Sequence, residues 1–443
     1  MGGAERYASV SPPGSRLPSP SAQHKVYEFA QTGEWVASTA QQREDRKGCT
    51  LTLPLTGLTV VSFEQAVAAP FCSRHLGDLG ARVIKVEHRV GGDFTRAYDD
   101  AVLGMASYFV WLNRNKESLT LDIKHPAAEE VLTRLLSQAD VVIQNLAPGS
   151  AHRMGIAAAD VVARFPRAIA VDISGYGVGG PYDEKRAYDL LIQAEGGLCS
   201  ITGLPGAPAK AGPPVADMGT GLYSLTGVLA ALYARERTGV GAAISISMFD
   251  VISEFMGFAL QYTRHTGEER QPNGMSTPMV APYGGYPTSD GQTVVLGTTN
   301  DREWQRLALG MLERPDLAAD SRFATNIARC VERDVIDEAI SAWTRQRPLA
   351  EIQSVADAAG IGNSRYNTVK DVIGHAQLEQ RGRWQEVDSP VGTLPSLLAP
   401  PESEGWHQRL DGVPSLGQHT DSILAELGYS SDEIAHLRGE AAV

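Results

Sequence analysis

Residues 58–87 read strand, helix, strand: an apolar run (LTVVSF, 58–63), a short helix over 70–79 and a second apolar run (RVIKVE, 82–87). Pro70 marks the helix start and Gly80 follows its end. Two strands joined through one helix pair in parallel with a right-handed crossover. A parallel sheet needs helices on both faces, so the chain must continue the alternation. It does. A strand is expected at 118–123, a helix at 126–138 with Val131, Leu132, Leu135 and Leu136 as its buried stripe, and strands at 140–145 and 168–174. Ligands of such sheets bind beyond the carboxyl ends of the strands. The first strand–helix junction reads EQAVAAPFC, with no GxGxxG to let the backbone approach a pyrophosphate. Glu87, at the end of the second strand, does not make a dinucleotide site without those glycines.

The chain has 443 residues, more than one ordinary domain holds. Its net charge of −13 disfavours nucleic acid as the main partner but leaves room for a local basic pocket. The four cysteines lie far apart without CxxC or Cys/His spacing, which points to a reducing cytosol, a cytoplasmic location and no metal site. No apolar run approaches the roughly 18 residues of a membrane span. No GxSxG, HExxH or Walker A motif occurs.

Residues 1–54, rich in Ser and Pro over 9–21, are expected to form a disordered or loosely attached extension. The large α/β domain spans 55–248 in its first part. A linker follows at 249–282, then a small α+β domain at 283–370 that opens with a hairpin turning at Ser289-Asp290-Gly291. A return linker at 371–390 leads to 391–443, the C-terminal part of the large domain. Residues 175–181 (GYGVGGP) form a glycine loop that is either a set of turns or a ligand-facing segment.

The stretch 211–241 carries an acid before two glycines, Asp217, Gly219 and Gly221. A helical pattern then runs through Leu222, Leu225, Leu229 and Leu232 to Gly239. A carboxylate at a helix start is either an N-cap or a catalytic group beside free backbone N–H donors. A second acid, Asp189, follows the glycine loop; it reads as the N-cap of a short helix or as the partner in an acid pair whose members divide roles. Lys85, Arg89, Arg114, Lys116, Lys124, Arg153, Lys185 and Arg186 fall at strand ends and adjoining loops, which suits an anionic, phosphorylated ligand.

These motifs join in order: LGDLGARVIKVE (76–87) with GGDFTR (91–96), NRNKESLTLDIKHP (113–126), ADVVIQNLAPGSAHRMGI (139–156), SGYGVGGPYDEKRAYD (174–189), DMGTGLYSLTGVLAALYARERTGVG (217–241) and LGQHTDSILAELG (416–428). From residue 55 to the C-terminus the chain resembles the class III CoA-transferases, the family of formyl-CoA transferase and carnitine CoA-transferase, with α-methylacyl-CoA racemase as a relative. The resemblance implies a Rossmann-like large α/β domain with a parallel sheet, a smaller α+β domain and an interlocked, ring-like homodimer. It places the nucleophile on Asp217 and an assisting acid on Asp189. CoA contacts fall near His88, Arg89, Lys124, Asn145, Arg153, Met154 and Arg186. Tyr188, Gly219, Gly284 and Gly285 are the substrate and oxyanion positions. CoA and acyl-CoA enter as substrates, with no permanently bound cofactor.

The chain has Tyr188-Asp189 where the racemases carry His-Asp. Tyrosine, with an ordinary pKa of about 10, is a poor base at neutral pH, so transfer is expected over racemisation. His88 stands in place of an arginine of formyl-CoA transferase, and 281–286 (APYGGY) in place of its glycine-rich lid. The segment GTTNDREW (297–304) looks more like the transferases of small dicarboxylates. The expected reaction moves CoA from an acyl-CoA, with succinyl-CoA first, to an itaconate-, mesaconate- or citramalate-like acid. The alternatives are a racemase-like isomerase and a non-catalytic acyl-CoA-binding protein.

Overall fold

The computed structural model describes residues 26–29, 35–38 and 52–443. Within the N-terminal unit, 1–52, strands Val26–Phe29 and Trp35–Ser38 pair antiparallel, a hairpin the sequence reading did not anticipate. The expectation of a disordered or loosely attached extension otherwise lies outside the described residues.

In the unit from 53 to 443, six strands form one parallel sheet: β1 (Thr59–Phe63), β2 (Arg82–Glu87), β3 (Lys116–Thr120), β4 (Val141–Gln144), β5 (Ile169–Ser174) and β6 (Ala242–Ser247). Their order is β6-β5-β4-β1-β2-β3. This is the doubly wound order, with its reversal between β1 and β4, built without the glycine fingerprint that usually accompanies it. The expected strand at 118–123 lies two residues earlier, because Lys116 pairs with Val83 inside the sheet and is fully covered.

Each face of the sheet has its own core. Helices α1 (Ala68–Asp78) and α4 (Val215–Thr238) cover one face, packing Ala69, Cys72, Leu76, Val228 and Leu232 on Val60, Val83, Val141 and Val171. Helix α2 (Ala128–Ser137) covers the other, together with the C-terminal helices Thr420–Glu426 and Ser431–Gly439 through Ile423, Leu424 and Ile434. The C-terminus thus completes the layer begun near residue 55. The return is pinned by Arg114, which donates to the Leu397 carbonyl at 2.8 Å, and by the Asn115 amide, which donates to the Arg409 carbonyl at 2.9 Å. A separate core around Trp304, Phe323, Ile336 and Ile352 supports a three-stranded antiparallel sheet, β7 (Tyr283–Pro287), β8 (Thr293–Gly297) and β9 (Gly362–Arg365). The β7–β8 hairpin turns over Ser289–Gly291 as its sequence implies.

Helix α4 departs most from the sequence pattern. It starts at Val215, so Asp217 lies in its first turn and is not its N-cap. Its buried face is Ala216, Thr220, Ser224, Val228 and Leu232, while Leu222 and Leu229 are 45% and 36% exposed. Gly219 and Gly221 are helical. A Cβ on Gly221 would lie 2.7 Å from the Ala68 carbonyl, and one on Gly219 the same distance from the Phe255 ring. They allow close approach to α1 and to α5 (Met248–Phe255), which outweighs their poor helix propensity of about 1 kcal/mol each. At 24 residues α4 is long and apolar enough to cross a membrane by length and composition alone, although no single apolar run in it is. It packs one face against α1 and the sheet, as a core helix does.

Candidate active site

The sheet reversal creates a crevice beyond β1 and β4. A cavity of about 230 Å3 lies there, lined by Phe63, Gln65, His88, Leu121, Lys124 and Leu146 among others. His88 and Lys124 both line this cavity. Asn145 sits at the reversal itself, with its side chain committed: Oδ1 accepts the Gln65 N–H at 2.9 Å and Nδ2 donates to the Gln65 carbonyl at 2.8 Å. It shapes the turn after β1. In that turn Ala66 holds a left-handed φ of 62°, where the dinucleotide fold would use glycine.

The basic residues divide into two groups. Lys85 and Lys116, expected at the ligand, are fully buried beneath the crevice. Lys85 pairs with Glu64 at 3.2 Å and Asp93 at 2.8 Å, and Lys116 pairs with Glu64 at 2.7 Å. Burial opposes the Glu64 charge, yet Lys116 and Lys85 hold its carboxyl at about 2. Burial lowers Lys116 to about 8. Arg114 is spent on Asp78 at 2.8 Å, and Lys185 on Glu195 at 3.0 Å. These four are structural. Arg89, Lys124, Arg153 and Arg186 form no ion pair among the described residues, and Arg89, Arg153 and Arg186 are exposed. Arg153 donates to Ser150 Oγ, and Met154 packs beside it against the sheet core.

Asp217 is half-buried, and its carboxyl makes no hydrogen bond with any described residue. Burial, then the charge of Asp189, push it up to about 7. Met218 next to it packs with Ala66 on Val67, Phe71 and Leu112, so the start of α4 adjoins the turn that shapes the crevice. Asp189 begins α3 (Asp189–Glu195), whose N-cap is Tyr188. Its role as a cap falls on another helix: Oδ1 accepts the Ala216 N–H of α4 at 2.9 Å. Oδ2 accepts from Gln193 Nε2 at 2.7 Å. Tyr188 is exposed beside this pair. Gly219 faces Val251 and Phe255, so its place is explained by packing. Gly284 and Gly285 are strand residues of β7, opposite Leu296 and Val295, and no hydrogen bond joins them to α4 among the described residues.

Sequence reasoning missed Tyr98. Burial and the charges of Asp93 and Asp217 raise its hydroxyl, and Tyr188 also contributes, which places this ring by the Asp217 end of α4. It follows the helical turn Phe94–Ala97, whose cap, Asp93, is locked by Lys85. Its ring lies 5.7 Å from Phe94 and 5.8 Å from Tyr108. The signal was near: the motif GGDFTR ends two residues before it.

The start of α4 thus places a half-buried carboxylate, without a hydrogen bond among the described residues, near a sheet crevice with basic residues at its rim. The chain belongs to the CoA-transferase family III, whose model matches residues 55–420, and it is a transferase enzyme. It is 32% identical over 400 residues to the succinyl-CoA–D-citramalate CoA-transferase of Chloroflexus aurantiacus, an alignment covering 88% of this chain and 98% of that one. It is also 32% identical, over 386 residues, to the succinate–glutarate CoA-transferase of Agrobacterium fabrum, covering 84% and 96%. A solved CaiB/BaiF family protein from Brucella suis superposes with a TM-score of 0.73 at 34% identity, covering 85% of this chain and all of that one. The fold and class expected from the sequence are borne out.

Proposed function

We propose that the enzyme moves CoA from succinyl-CoA to a small dicarboxylic acid of the citramalate type through an aspartyl-CoA thioester on Asp217. The observation that carries this reading is the Asp217 carboxyl itself, without a hydrogen bond among the described residues and held basic near the crevice. A partly desolvated, basic carboxylate is a better nucleophile than a surface one. Its oxygen attacks the thioester carbonyl, expelling CoA thiolate and leaving a mixed anhydride. The thiolate then attacks the aspartyl carbonyl, releasing succinate and leaving the aspartyl-CoA thioester. The acceptor carboxylate attacks that thioester and runs the two steps in reverse, freeing Asp217 and the new acyl-CoA. Each exchange replaces one acyl bond by a similar one, so no strong base is needed.

Lys124 and His88 hold the CoA moiety in the crevice, with Arg89, Arg153 and Arg186 offering charge to its phosphates. The names of the two relatives, both with a succinyl or succinate partner and a dicarboxylate, support the substrate class. The chain also pairs with a second copy. The outer face of α4, with Leu222, Tyr223, Leu229 and Tyr233, and the nearby Phe255 and Phe258 leave an apolar surface exposed in one chain. The substrate assignment is tested by offering succinyl-CoA with a panel of dicarboxylic acids and following new acyl-CoA masses. Citramalate-type acids are expected to turn over. Exchange only with monocarboxylic acids, or α-proton exchange without any acceptor, contradicts the assignment.

A further inference from the structure

We infer that Gln193 is a positioning residue: its side-chain amide holds the Asp189 carboxylate at the start of the helix that carries Asp217. The inference rests on reading Asp217 as the nucleophile.

Gln193 is fully buried and lies one helical turn beyond Asp189 on α3, outside the family motifs. Its Oε1 accepts the backbone N–H of Ala211 at 2.9 Å. A backbone N–H can only donate, so the amide end facing Asp189 is the nitrogen, and it donates to Oδ2 at 2.7 Å. The other oxygen of Asp189 accepts the Ala216 N–H. Both carboxylate oxygens therefore face donors. With one oxygen on the helix cap and the other on Gln193, the Asp189 carboxylate is held in one orientation at the start of α4.

Burial raises Asp217 most, and Asp189 is the charge that adds to it. From α3 comes Asp189, with Tyr188 before it; from the turn after β2 comes Tyr98. The α5 side chains that meet the start of α4 at Gly219 are the apolar Val251 and Phe255, and α1 meets Gly221 with the Phe71 side chain and the Ala68 carbonyl. Cys199 and Lys210 also lie near Asp189. Burial, joined by one anion that a buried amide holds in place, keeps the nucleophile basic.

The test uses the full-length protein with 13C-carboxyl-labelled aspartate, the Asp217 signal being identified by its loss in Asp217→Asn. In Asp189→Asn, Asp217 is expected to titrate about one pH unit lower than in the wild type. This variant also sets a new NH2 against that of Gln193 and is expected to melt lower. The double variant Asp189→Asn/Gln193→Glu reverses donor and acceptor across the same bond: the new amide donates, and the new carboxylate still accepts the Ala211 N–H. It is expected to regain the melting temperature, while Asp217 still titrates below the wild type because the charge has moved one hydrogen bond away. An unchanged Asp217 titration in Asp189→Asn, or no recovery in the double variant, overturns the inference. Enzyme–CoA thioester formation from succinyl-CoA is measured on the same proteins. No thioester with the stated titration shifts overturns the nucleophile and leaves the role of Gln193 standing; a thioester without those shifts does the reverse.

Discussion

Asp189 Oδ1 accepts the N–H of Ala216 at 2.9 Å, one residue ahead of Asp217 on the same helix. The two acids thus occupy different positions in the fold, one capping the helix and the other projecting from its first turn. Asp189→Ala is expected to lose about 1 kcal/mol of stability, as cap removals do. It also removes the neighbouring charge from Asp217. Urea unfolding of the variant checks the first effect, and the pH profile of CoA exchange the second.

Asp217 titrates near 7, against an ordinary carboxylate value near 3.8, because burial and Asp189 disfavour its charge. Between those values the folded protein binds a proton that the unfolded chain has released. Stability from this group is therefore lost as pH rises from about 4 to about 7. Asp217→Asn is expected to melt higher than the wild type at pH 8, with the gain vanishing near pH 4. Exchange activity of the wild type rises over the upper part of the same window, since only the carboxylate attacks. Calorimetry and initial rates across pH check both.

Lys85 bridges Glu64 and Asp93 with no solvent exposure on any of the three. Lys85→Met leaves two buried acids short of a counter-charge. Breaking a buried pair in this way costs about 3–5 kcal/mol. The Asp93 cap of the turn before Tyr98 also loses its anchor. A fall of that size in the urea-derived stability is expected. Glu64 adds an acid limit: its carboxyl is held near 2 against an ordinary 4.5, so its contribution, complete above 4.5, is lost as pH falls toward 2.

Lys124 lines the crevice and makes no ion pair among the described residues. Lys124→Ala is expected to raise KM for the acyl-CoA about tenfold, the loss of one charge-assisted contact of about 1.4 kcal/mol. It is expected to leave kcat nearly unchanged. Steady-state kinetics at two ionic strengths separate the terms, the difference from the wild type shrinking at high salt.

The parallel sheet was legible because its strands are apolar runs separated by a helical period, and neither signal depends on long-range partners. The start of α4 was not. Gly219 and Gly221 look like chain breaks, and their use becomes visible only when Ala68 and Phe255 stand against them. The leucine stripe misled for a related reason. Leu222 and Leu229 face outward, and the buried side begins with the small residues Ala216, Thr220 and Ser224 before Val228 and Leu232 reach the sheet. Lys85 and Lys116 read as ligand residues because their partners, Glu64 and Asp93, come from other strands and loops. Asp217 and Asp189 were legible as an acid at a helix start and an acid after a glycine loop, but the hydrogen bond from Gln193 to Asp189 was not, since Gln193 has no motif of its own.

The central claim is a covalent CoA on Asp217. Wild-type enzyme mixed with succinyl-CoA and no acceptor, quenched in acid and digested, is examined by mass spectrometry for CoA on the peptide holding residues 215–221. The expected result is a thioester on Asp217 that hydroxylamine removes, absent from Asp217→Asn although that variant keeps the wild-type circular dichroism. A variant that still exchanges CoA at near-normal rate, or a thioester carried on any other residue, contradicts it.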